Sequence, residues 1–180
     1  MHIYRCRICG ETYLGAEAPT NCPFCGAHRE SLVMTEEYSS AMNDVQLTEV
    51  ERADLETAIE LERSNTRFYL AMSARKDNEA LASAYKRLAR IEAEHCSVFC
   101  KLAKSPKPAD ITEPSEDLGD WISDIEESLQ REQRASGLYA EFAARATSPR
   151  LREVFAAISA VERDHIALDE LAKHYATESR

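Results

Sequence analysis

The sequence lacks several features that would place it in common functional classes. Basic residues are in the minority, because 22 Lys and Arg face 32 Asp and Glu and leave a formal net charge of −10. Such a surface repels phosphate groups, so neither nucleic acids nor membranes are expected partners. No apolar run reaches the ~18 residues that a bilayer span requires, and the first residues lack the charged and apolar regions of a signal peptide. We therefore expect a cytoplasmic protein.

Glycine is scarce outside the N-terminal region. Three of the 5 glycines lie within the first 26 residues, together with four of the 6 cysteines. After residue 47 the chain is rich in Ala, Leu, Glu and Arg, which are strong helix formers. A chain of 180 residues has room for one ordinary domain and a small satellite. The composition predicts a strand-and-turn module over 1–33, a linker over 34–47 and a helical domain over 48–176.

Four helices are predicted after the linker, and the first begins with a capping box formed by Thr48 and Glu51. The approximate boundaries of the helices are 48–74, 78–103, 118–146 and 149–175. The connection over 104–120 contains three prolines and is long enough to return along the bundle, whereas the other two connections are short. A four-helix bundle with one long crossover is a ferritin-like arrangement.

The helical region repeats itself with an offset of 70 residues, so its two helical hairpins are copies of one unit. The repeated polar and aromatic residues are Asp54/Asp124, Glu56/Glu126, Glu62/Glu132, Tyr69/Tyr139, Glu92/Glu162 and His95/His165. Two Glu-x-x-His motifs fall on the apolar stripes of the second and fourth helices, and the first and third helices each contribute one further core glutamate. Each helix therefore presents one carboxylate to the interior, and two helices add a histidine.

Buried carboxylates need an opposing charge. Four unpaired ones would cost several kcal/mol each, which a domain with ~5–15 kcal/mol of total stability does not tolerate. Lys and Arg are absent from the inward stripes, whereas two divalent metal ions would balance the four negative charges. The predicted ligands of this dinuclear site are Glu62, Glu92, His95, Glu132, Glu162 and His165. Tyr69 and Tyr139 are expected to hydrogen-bond these carboxylates, with plain aromatic packing as the alternative.

A second metal site is predicted in the N-terminal module. Its four ligands lie in two Cys-x-x-Cys-Gly motifs separated by 12 residues, and they are Cys6, Cys9, Cys22 and Cys25. The glycines let the chain turn so that backbone N–H groups point at sulfur, and four thiolates surround one ion. A purely structural zinc site is the alternative to iron. Cys96 and Cys100, on the second helix, are expected to be small buried hydrophobic residues.

The motifs Tyr-x-Cys-x-x-Cys-Gly and Cys-Pro-x-Cys-Gly resemble a short rubredoxin, and the bundle with its two Glu-x-x-His motifs resembles the ferritin-like domain of rubrerythrins. Because the rubredoxin-like module leads the chain, the order resembles that of reverse rubrerythrins. The resemblance implies one mononuclear iron at the four cysteines and two irons at the six bundle ligands. Standard rubrerythrins carry an additional ligand Glu in the third helix, where this sequence has Ala135.

The resemblance also implies an activity, namely a di-iron peroxidase that reduces hydrogen peroxide to water with electrons relayed through the cysteine-bound iron. The alternative functions are those of an oxygen-consuming ferroxidase and a non-catalytic zinc-ribbon interaction protein. Manganese or zinc could take the place of iron in the dinuclear site. The expected electron donor is a rubredoxin or an NAD(P)H-dependent reductase. We also expect a homodimer, because the linker would let each module reach the bundle of a partner.

Overall fold

The computed structural model describes residues 1–116 and 119–178 of the chain. A small antiparallel sheet comes first, and four long helices follow it. The strands are β1 (His2–Cys6), β2 (Thr12–Gly15) and β3 (Leu32–Met34), and the helices are α1 (Glu49–Ser73), α2 (Glu79–Ala103), α3 (Trp121–Arg145) and α4 (Pro149–Glu178). This architecture confirms the predicted fold class, a helical bundle with a small N-terminal β and turn module.

The N-terminal sheet is too small to be stable by itself. β1 is its central strand, with Tyr4 opposite Tyr13 on β2 and opposite Met34 on β3. Strands of 5, 4 and 3 residues enclose little apolar surface, so such a module needs cross-links or packing against other elements. Its buried residues, including the four cysteines, belong to a core cluster that also contains residues of all four helices.

The linker between module and bundle is attached to both. It contains two short 3-10 turns, Thr35–Glu37 and Ser40–Asn43. The Arg5 guanidinium lies over the Tyr38 ring at 4.2 Å, and the Arg150 Nε donates to Asn43 Oδ1 at 3.0 Å. The linker therefore holds the module beside the helices.

The helix termini follow from local capping. The side chains that accept hydrogen bonds from first-turn N–H groups are those of Thr48, Asn78, Asp120 and Ser148. α2 ends where Lys104 adopts a left-handed conformation with φ 54°. Residue 118, the predicted start of the third helix, lies outside the described residues, and α4 extends to Glu178, beyond its predicted end at Tyr175.

The bundle is built from two antiparallel hairpins, α1 with α2 and α3 with α4. The predicted inward stripes of α2 and α4 are buried throughout, and their residues are Leu81, Tyr85, Leu88, Glu92, His95, Phe99, Leu102, Leu151, Phe155, Ile158, Glu162 and His165. Asp110 holds the crossover against α1, since it accepts hydrogen bonds from Arg63 Nε at 2.7 Å and from Arg67 Nη1 at 2.5 Å.

None of the described helices has an apolar stretch that could cross a bilayer.

Glu51 joins the N-termini of two helices at one end of the bundle. Its Oε2 accepts from Thr48 N at 2.9 Å within α1, and its Oε1 accepts from Ser148 N at 2.7 Å and from Thr147 N at 2.9 Å before α4. Burial alone would raise the pKa of Glu51, but the backbone N–H groups of Ser148 and Thr48 outweigh it and lower the pKa to about 2. The ionised carboxylate therefore stabilises both helix starts.

Replacement of Glu51 by Gln should destabilise the fold by about 2 kcal/mol, because charge-assisted hydrogen bonds to N–H groups are lost. The pKa of Glu51 is lower in the folded chain, so the difference from wild type should be complete above the ordinary pKa of 4.5 and vanish as the pH falls toward about 2. Denaturant unfolding across this pH range measures it. Glu49→Gln, at an exposed position in the same turn, is the control, and equal effects of both variants would contradict the assignment.

Candidate metal centres

The four cysteines of the module come together in pairs. The Sγ atoms of Cys6 and Cys25 are 3.7 Å apart, and those of Cys9 and Cys22 are 3.8 Å apart. A tetrahedron of sulfurs with metal–sulfur bonds of ~2.3 Å has edges of ~3.8 Å, so these separations suit a tetrahedral metal ion. All four thiols are buried and none forms a disulfide. The arrangement is a tetrathiolate site that fits iron or zinc by geometry.

The glycines after each cysteine pair shape the two knuckles. Gly10 N donates to Cys6 O at 2.8 Å, and Gly26 N donates to Cys22 O at 2.9 Å, so the turns are equivalent. Both glycines have positive φ, 86° and 74°, which residues with a Cβ rarely adopt. Beyond the first turn, the backbone N–H of Glu11 points at Cys9 Sγ at 3.4 Å. One backbone N–H group, that of Glu11, therefore faces sulfur, whereas the N–H groups of the two glycines donate to carbonyl oxygens.

The six predicted bundle ligands form two overlapping groups in the core. One group contains Glu62 and His95 and the other contains Glu132 and His165, and each group is completed by the same two residues, Glu92 and Glu162. Within each group, ligand atoms lie within 4.8 Å of one another. The shared residues sit between the two positions. This places Glu92 and Glu162 as candidate bridging carboxylates and assigns the other four residues to one metal position each.

The electrostatics of the core show what the bundle ligands lack. Burial, reinforced by the neighbouring carboxylate of Glu92, raises the pKa of Glu62 and of Glu132 well above the ordinary range. Burial alone would lower the pKa of His95, but the carboxylates of Glu162 and Glu92 raise it to about 10. These groups hold protons unless another cation balances them, so protons and metal ions compete for the same atoms.

Orphaned oxygens point to metal ions as the missing cations. Among the described residues, each of the four core glutamates has one buried oxygen that accepts no hydrogen bond, namely Glu62 Oε2, Glu92 Oε1, Glu132 Oε2 and Glu162 Oε1. Two of these atoms, Glu92 Oε1 and Glu162 Oε1, lie 3.0 and 3.1 Å from a histidine Nδ1. A buried carboxylate oxygen without a partner is costly, and each would gain a partner as a metal ligand. The donor set of four carboxylates and two imidazoles fits a pair of iron ions.

The two tyrosines hold the carboxylates of the opposite hairpin. Tyr139 on α3 donates to Glu62 Oε1 at 2.5 Å, and Tyr69 on α1 donates to Glu132 Oε1. Each tyrosine therefore fixes one oxygen of its glutamate and leaves the other oxygen facing the metal position. The sequence placed each tyrosine seven residues after a glutamate of its own helix, but the contact crosses between α1 and α3.

His95 connects the two metal sites. Its Nδ1 faces the carboxylates, 3.1 Å from Glu162 Oε1 and 3.3 Å from Glu92 Oε2, while its Nε2 lies 2.8 Å from the backbone O of Cys25. With the ring proton on Nε2, the imidazole donates to this carbonyl and directs its Nδ1 lone pair at the metal position. A residue of the cysteine group thus orients a candidate ligand of the dinuclear site.

The module lies against the bundle of its own chain. Lys101 Nζ donates to Cys9 O at 3.0 Å, and His28 Nε2 is 2.7 Å from Asp164 Oδ2. A Cβ added to Gly26 would lie 2.6 Å from a methyl carbon of Val161, so glycine permits the close approach. The two candidate metal sites therefore contact each other within one chain. The arrangement in which each module contacts the bundle of a partner chain stays a prediction.

Three buried residues of the bundle, Cys96, Cys100 and Ala135, lie outside the ligand groups. Cys96 and Cys100 are buried under Ile111 of the crossover, outside both ligand groups, and burial together with Cys100 raises the pKa of Cys96 to about 12. Both therefore lie in the core as expected. Ala135 is also fully buried, and the ligand groups found among the described residues contain no seventh member in its place.

The sequence interpretation missed a set of buried polar residues that continues from Tyr69 away from the ligands. Its members are Ser128, Tyr85 and Asp169, and hydrogen bonds of 2.6 to 3.2 Å connect them. These positions depart from the 70-residue repeat, because their counterparts are Ala58, Phe155 and Phe99. The departure was a signal in the sequence, but spacing alone did not reveal that the three side chains meet.

The fold and the two sites define a ferritin-like carboxylate protein with a dinuclear metal site and an attached tetrathiolate module. Comparisons with known proteins agree. The family model "Rubrerythrin, rubredoxin-like domain" matches residues 4–32, and the model "Rubrerythrin" matches residues 54–121. Reverse rubrerythrin-1 of Clostridium acetobutylicum is 34% identical over 112 residues, which cover 57% of this chain and 62% of the relative.

Both parts of the chain match rubrerythrin models, with the rubredoxin-like module ahead of the bundle as in the reverse arrangement. The two matched models together span more than half of the chain, although the aligned part covers 62% of the relative's length. The bundle match ends at Trp121, before Glu132, Glu162 and His165. Those three ligands rest on the internal repeat and on the geometry of the core.

The shared and unshared glutamates predict different metal contents. Loss of a shared carboxylate in Glu162→Ala should empty both bundle positions and leave about one metal per chain, whereas Glu132→Ala should spare the group around His95 and leave about two. Elemental analysis of the purified variants measures the content, and the visible spectrum follows the tetrathiolate site. Glu170→Gln, an exposed position on α4, should match the wild type.

Equal metal content in Glu162→Ala and Glu132→Ala would contradict the division into bridging and terminal ligands. Circular dichroism shows whether each variant keeps its helices. A variant that keeps them and still binds the wild-type amount of metal would remove that residue from the ligand set.

Proposed function

We propose that this protein is a non-haem di-iron peroxidase, which reduces hydrogen peroxide to water with electrons relayed from its tetrathiolate iron. The matches to the two rubrerythrin models support an iron-dependent redox function in oxidative stress defence. The observation that carries the relay is His95, whose two ring nitrogens face the dinuclear site and the backbone of Cys25. A zinc-ribbon interaction module would have no need of such a connection.

The residues of the bundle would hold and orient the metal pair. Glu62 with His95 would bind one ion, Glu132 with His165 the other, and Glu92 with Glu162 both. When bound, a ferrous pair supplies a Lewis acid and two electrons, the number that reduction of one peroxide to two waters consumes. Tyr69 and Tyr139 keep the carboxylates aligned by hydrogen bonds, so little reorganisation is needed during the reaction.

A crevice gives a small substrate a route to this site. It has a volume of about 500 Å³ between the module and helices α2 and α4, and its lining includes Cys22, Arg87, Val161 and His165. His165 is 5% exposed, whereas its counterpart His95 is fully buried. Because so little of His165 is exposed, the crevice favours a molecule of the size of peroxide or oxygen over a larger organic substrate.

The relay requires an external electron donor. The family resemblance favours a rubredoxin or an NAD(P)H-dependent reductase, and we propose that such a protein reduces the tetrathiolate iron one electron at a time. Two deliveries would restore the dinuclear site after each peroxide. A homodimer and a cytoplasmic location belong to the same proposal, and neither is required for the contact between Cys25 and His95.

Stopped-flow oxidation of the fully reduced protein tests the proposal. We expect reaction with hydrogen peroxide to be faster than reaction with oxygen, because the site is proposed to have peroxide as its substrate. The reverse order would favour the ferroxidase. Protein that contains only zinc in a colourless tetrathiolate site would exclude the electron relay.

Cys22→Ser separates the relay from the chemistry. This variant should still be oxidised once by peroxide at the wild-type rate, because the bundle ligands are unchanged. Its steady-state turnover with an electron donor should fall by ~10-fold or more, because reduction of the dinuclear site is impaired. Cys100→Ala, which removes a buried thiol outside both ligand groups, should turn over like the wild type. An unimpaired Cys22→Ser variant would show that the module is not the route of the electrons.

A further inference from the structure

The two halves of the dinuclear site differ behind their tyrosines, although the ligands themselves repeat. Around Tyr139 the surroundings are aromatic, with ring centroids of Phe99, Phe155 and Phe142 at 5.4, 6.0 and 6.2 Å. Tyr139, which donates a hydrogen bond to Glu62, is therefore surrounded by apolar rings. In the other half, the counterparts of Phe99 and Phe155 are Asp169 and Tyr85, and both carry polar groups.

Around Tyr69 the hydrogen bonds continue into the core. The Ser128 hydroxyl lies 3.2 Å from the Tyr69 hydroxyl and 2.6 Å from Asp169 Oδ2, and Tyr85 donates to Asp169 Oδ1 at 2.6 Å. Tyr69, Ser128 and Asp169 have no exposed surface, and Tyr85 is 1% exposed. An unbroken chain of hydrogen bonds therefore runs from Glu132 through Tyr69 and Ser128 to a buried carboxyl group.

Packing does not explain a carboxyl group at position 169. The repeat fills the same place in the other hairpin with Phe99, and burying an acid in an apolar core is unfavourable unless its charge is removed or balanced. Burial raises the pKa of Asp169 to about 6, although hydrogen bonds from Ser128 and Tyr85 act in the opposite direction. This carboxyl group can therefore hold or release a proton near neutral pH.

Titratable groups face Asp169 from several helices. Tyr69 comes from α1, Tyr85 and Glu92 from α2, and His165 from its own helix α4, while α3 contributes the Ser128 hydroxyl. His165 lowers the pKa of Asp169 and Glu92 raises it, so these two effects oppose each other. Both of these residues are proposed metal ligands, whereas the contacts that define the chain of hydrogen bonds are made by hydroxyl groups.

We propose that Asp169 stores a proton and delivers it through Ser128 and Tyr69 to the Glu132 half of the dinuclear site. Protonated Asp169 would donate to Ser128 Oγ, the Ser128 proton would move to the Tyr69 oxygen, and the Tyr69 proton would move to Glu132 Oε1. Each proton crosses one hydrogen bond, so one proton is transferred in total and no electrons move. Asp169 is left as a carboxylate that accepts from Ser128 and Tyr85.

This inference rests on the proposed function for its purpose, because reduction of peroxide to two waters consumes two protons. Glu132 is fully buried, and a positioned acid accelerates such proton transfers by typically 10²–10⁴-fold. The proposal assigns Asp169, Ser128 and Tyr69 to proton delivery in one half of the site. It makes no use of the Tyr139 half, where the aromatic surroundings offer no acid.

Infrared spectroscopy of the purified protein tests the proton store without turnover. The carbonyl band of a protonated carboxylic acid should appear in the difference between wild type and Asp169→Asn and titrate around pH 6. Ser128→Ala, which introduces the residue found at position 58 of the repeat, should shift this band because a hydrogen bond to the acid is lost. Absence of the band in the difference spectrum would overturn the proposal, whether or not the protein reduces peroxide.

Single-turnover oxidation by hydrogen peroxide tests delivery. Asp169→Asn and Ser128→Ala should keep the wild-type metal content, react about 10²-fold more slowly at neutral pH, and lose the pH dependence that follows the Asp169 band. Ser159→Ala removes a different buried hydroxyl from α4 and should change neither rate nor pH profile. A wild-type rate and pH profile in Ser128→Ala would overturn the relay. If even the wild type fails to react with peroxide, the proposed function fails and the infrared result alone decides the proton store.

Discussion

The structure depends on the burial of four carboxylates in one bundle core. Side chains of the fold stabilise part of this negative charge, and bound metal ions would balance the rest. Four ionised groups at this depth would outweigh the stability of an ordinary domain. The fold supplies one partner for each carboxylate: a tyrosine hydroxyl for Glu62 and for Glu132, and a histidine for Glu92 and for Glu162. The second oxygen of each accepts no hydrogen bond among the described residues, although those of Glu92 and Glu162 lie 3.0 and 3.1 Å from a histidine Nδ1. Folding of the bundle and metal binding are therefore linked, since the ion completes what the side chains begin.

The position of the module follows from the same core. Partly exposed ion pairs such as that between Arg7 and Glu153 contribute only ~0–1 kcal/mol each, so they orient the module more than they hold it. Close packing of Gly26 on Val161 and the buried hydrogen bond from His95 to the Cys25 carbonyl are the contacts that fix the distance between the two metal sites. Electron transfer between metals depends on such fixed separations. Here the imidazole of His95 contacts both candidate metal sites.

Much of this organisation could be predicted from the sequence because it is local or periodic. Caps such as Thr48 with Glu51 set helix starts, and the 70-residue repeat placed all six candidate ligands on apolar stripes, which meet in the core. Periodicity gives the face of a helix on which a residue lies, but it does not give the neighbour on the opposite helix. For this reason the pairing of Tyr69 with Glu132, the contact of His95 with Cys25 and the second role of Glu51 at the start of α4 became visible only in three dimensions.

The departures from the internal repeat give the nearly symmetric site a direction. The tetrathiolate module contacts His95, which belongs with Glu62, so electrons would enter through that half. Asp169 connects to Glu132, which belongs with His165, so protons would enter through the other half, next to the crevice that opens at His165. A strictly repeated bundle would bind two metals equally well, but electrons and protons would then enter both halves by equivalent routes. Reduction of an O–O bond needs both at the same bond, and opposite routes of entry let them meet there without crossing. In this proposal the proton route depends on Ser128 and Asp169, which break the repeat, whereas electrons would reach the repeated His95 through the module that only one half contacts.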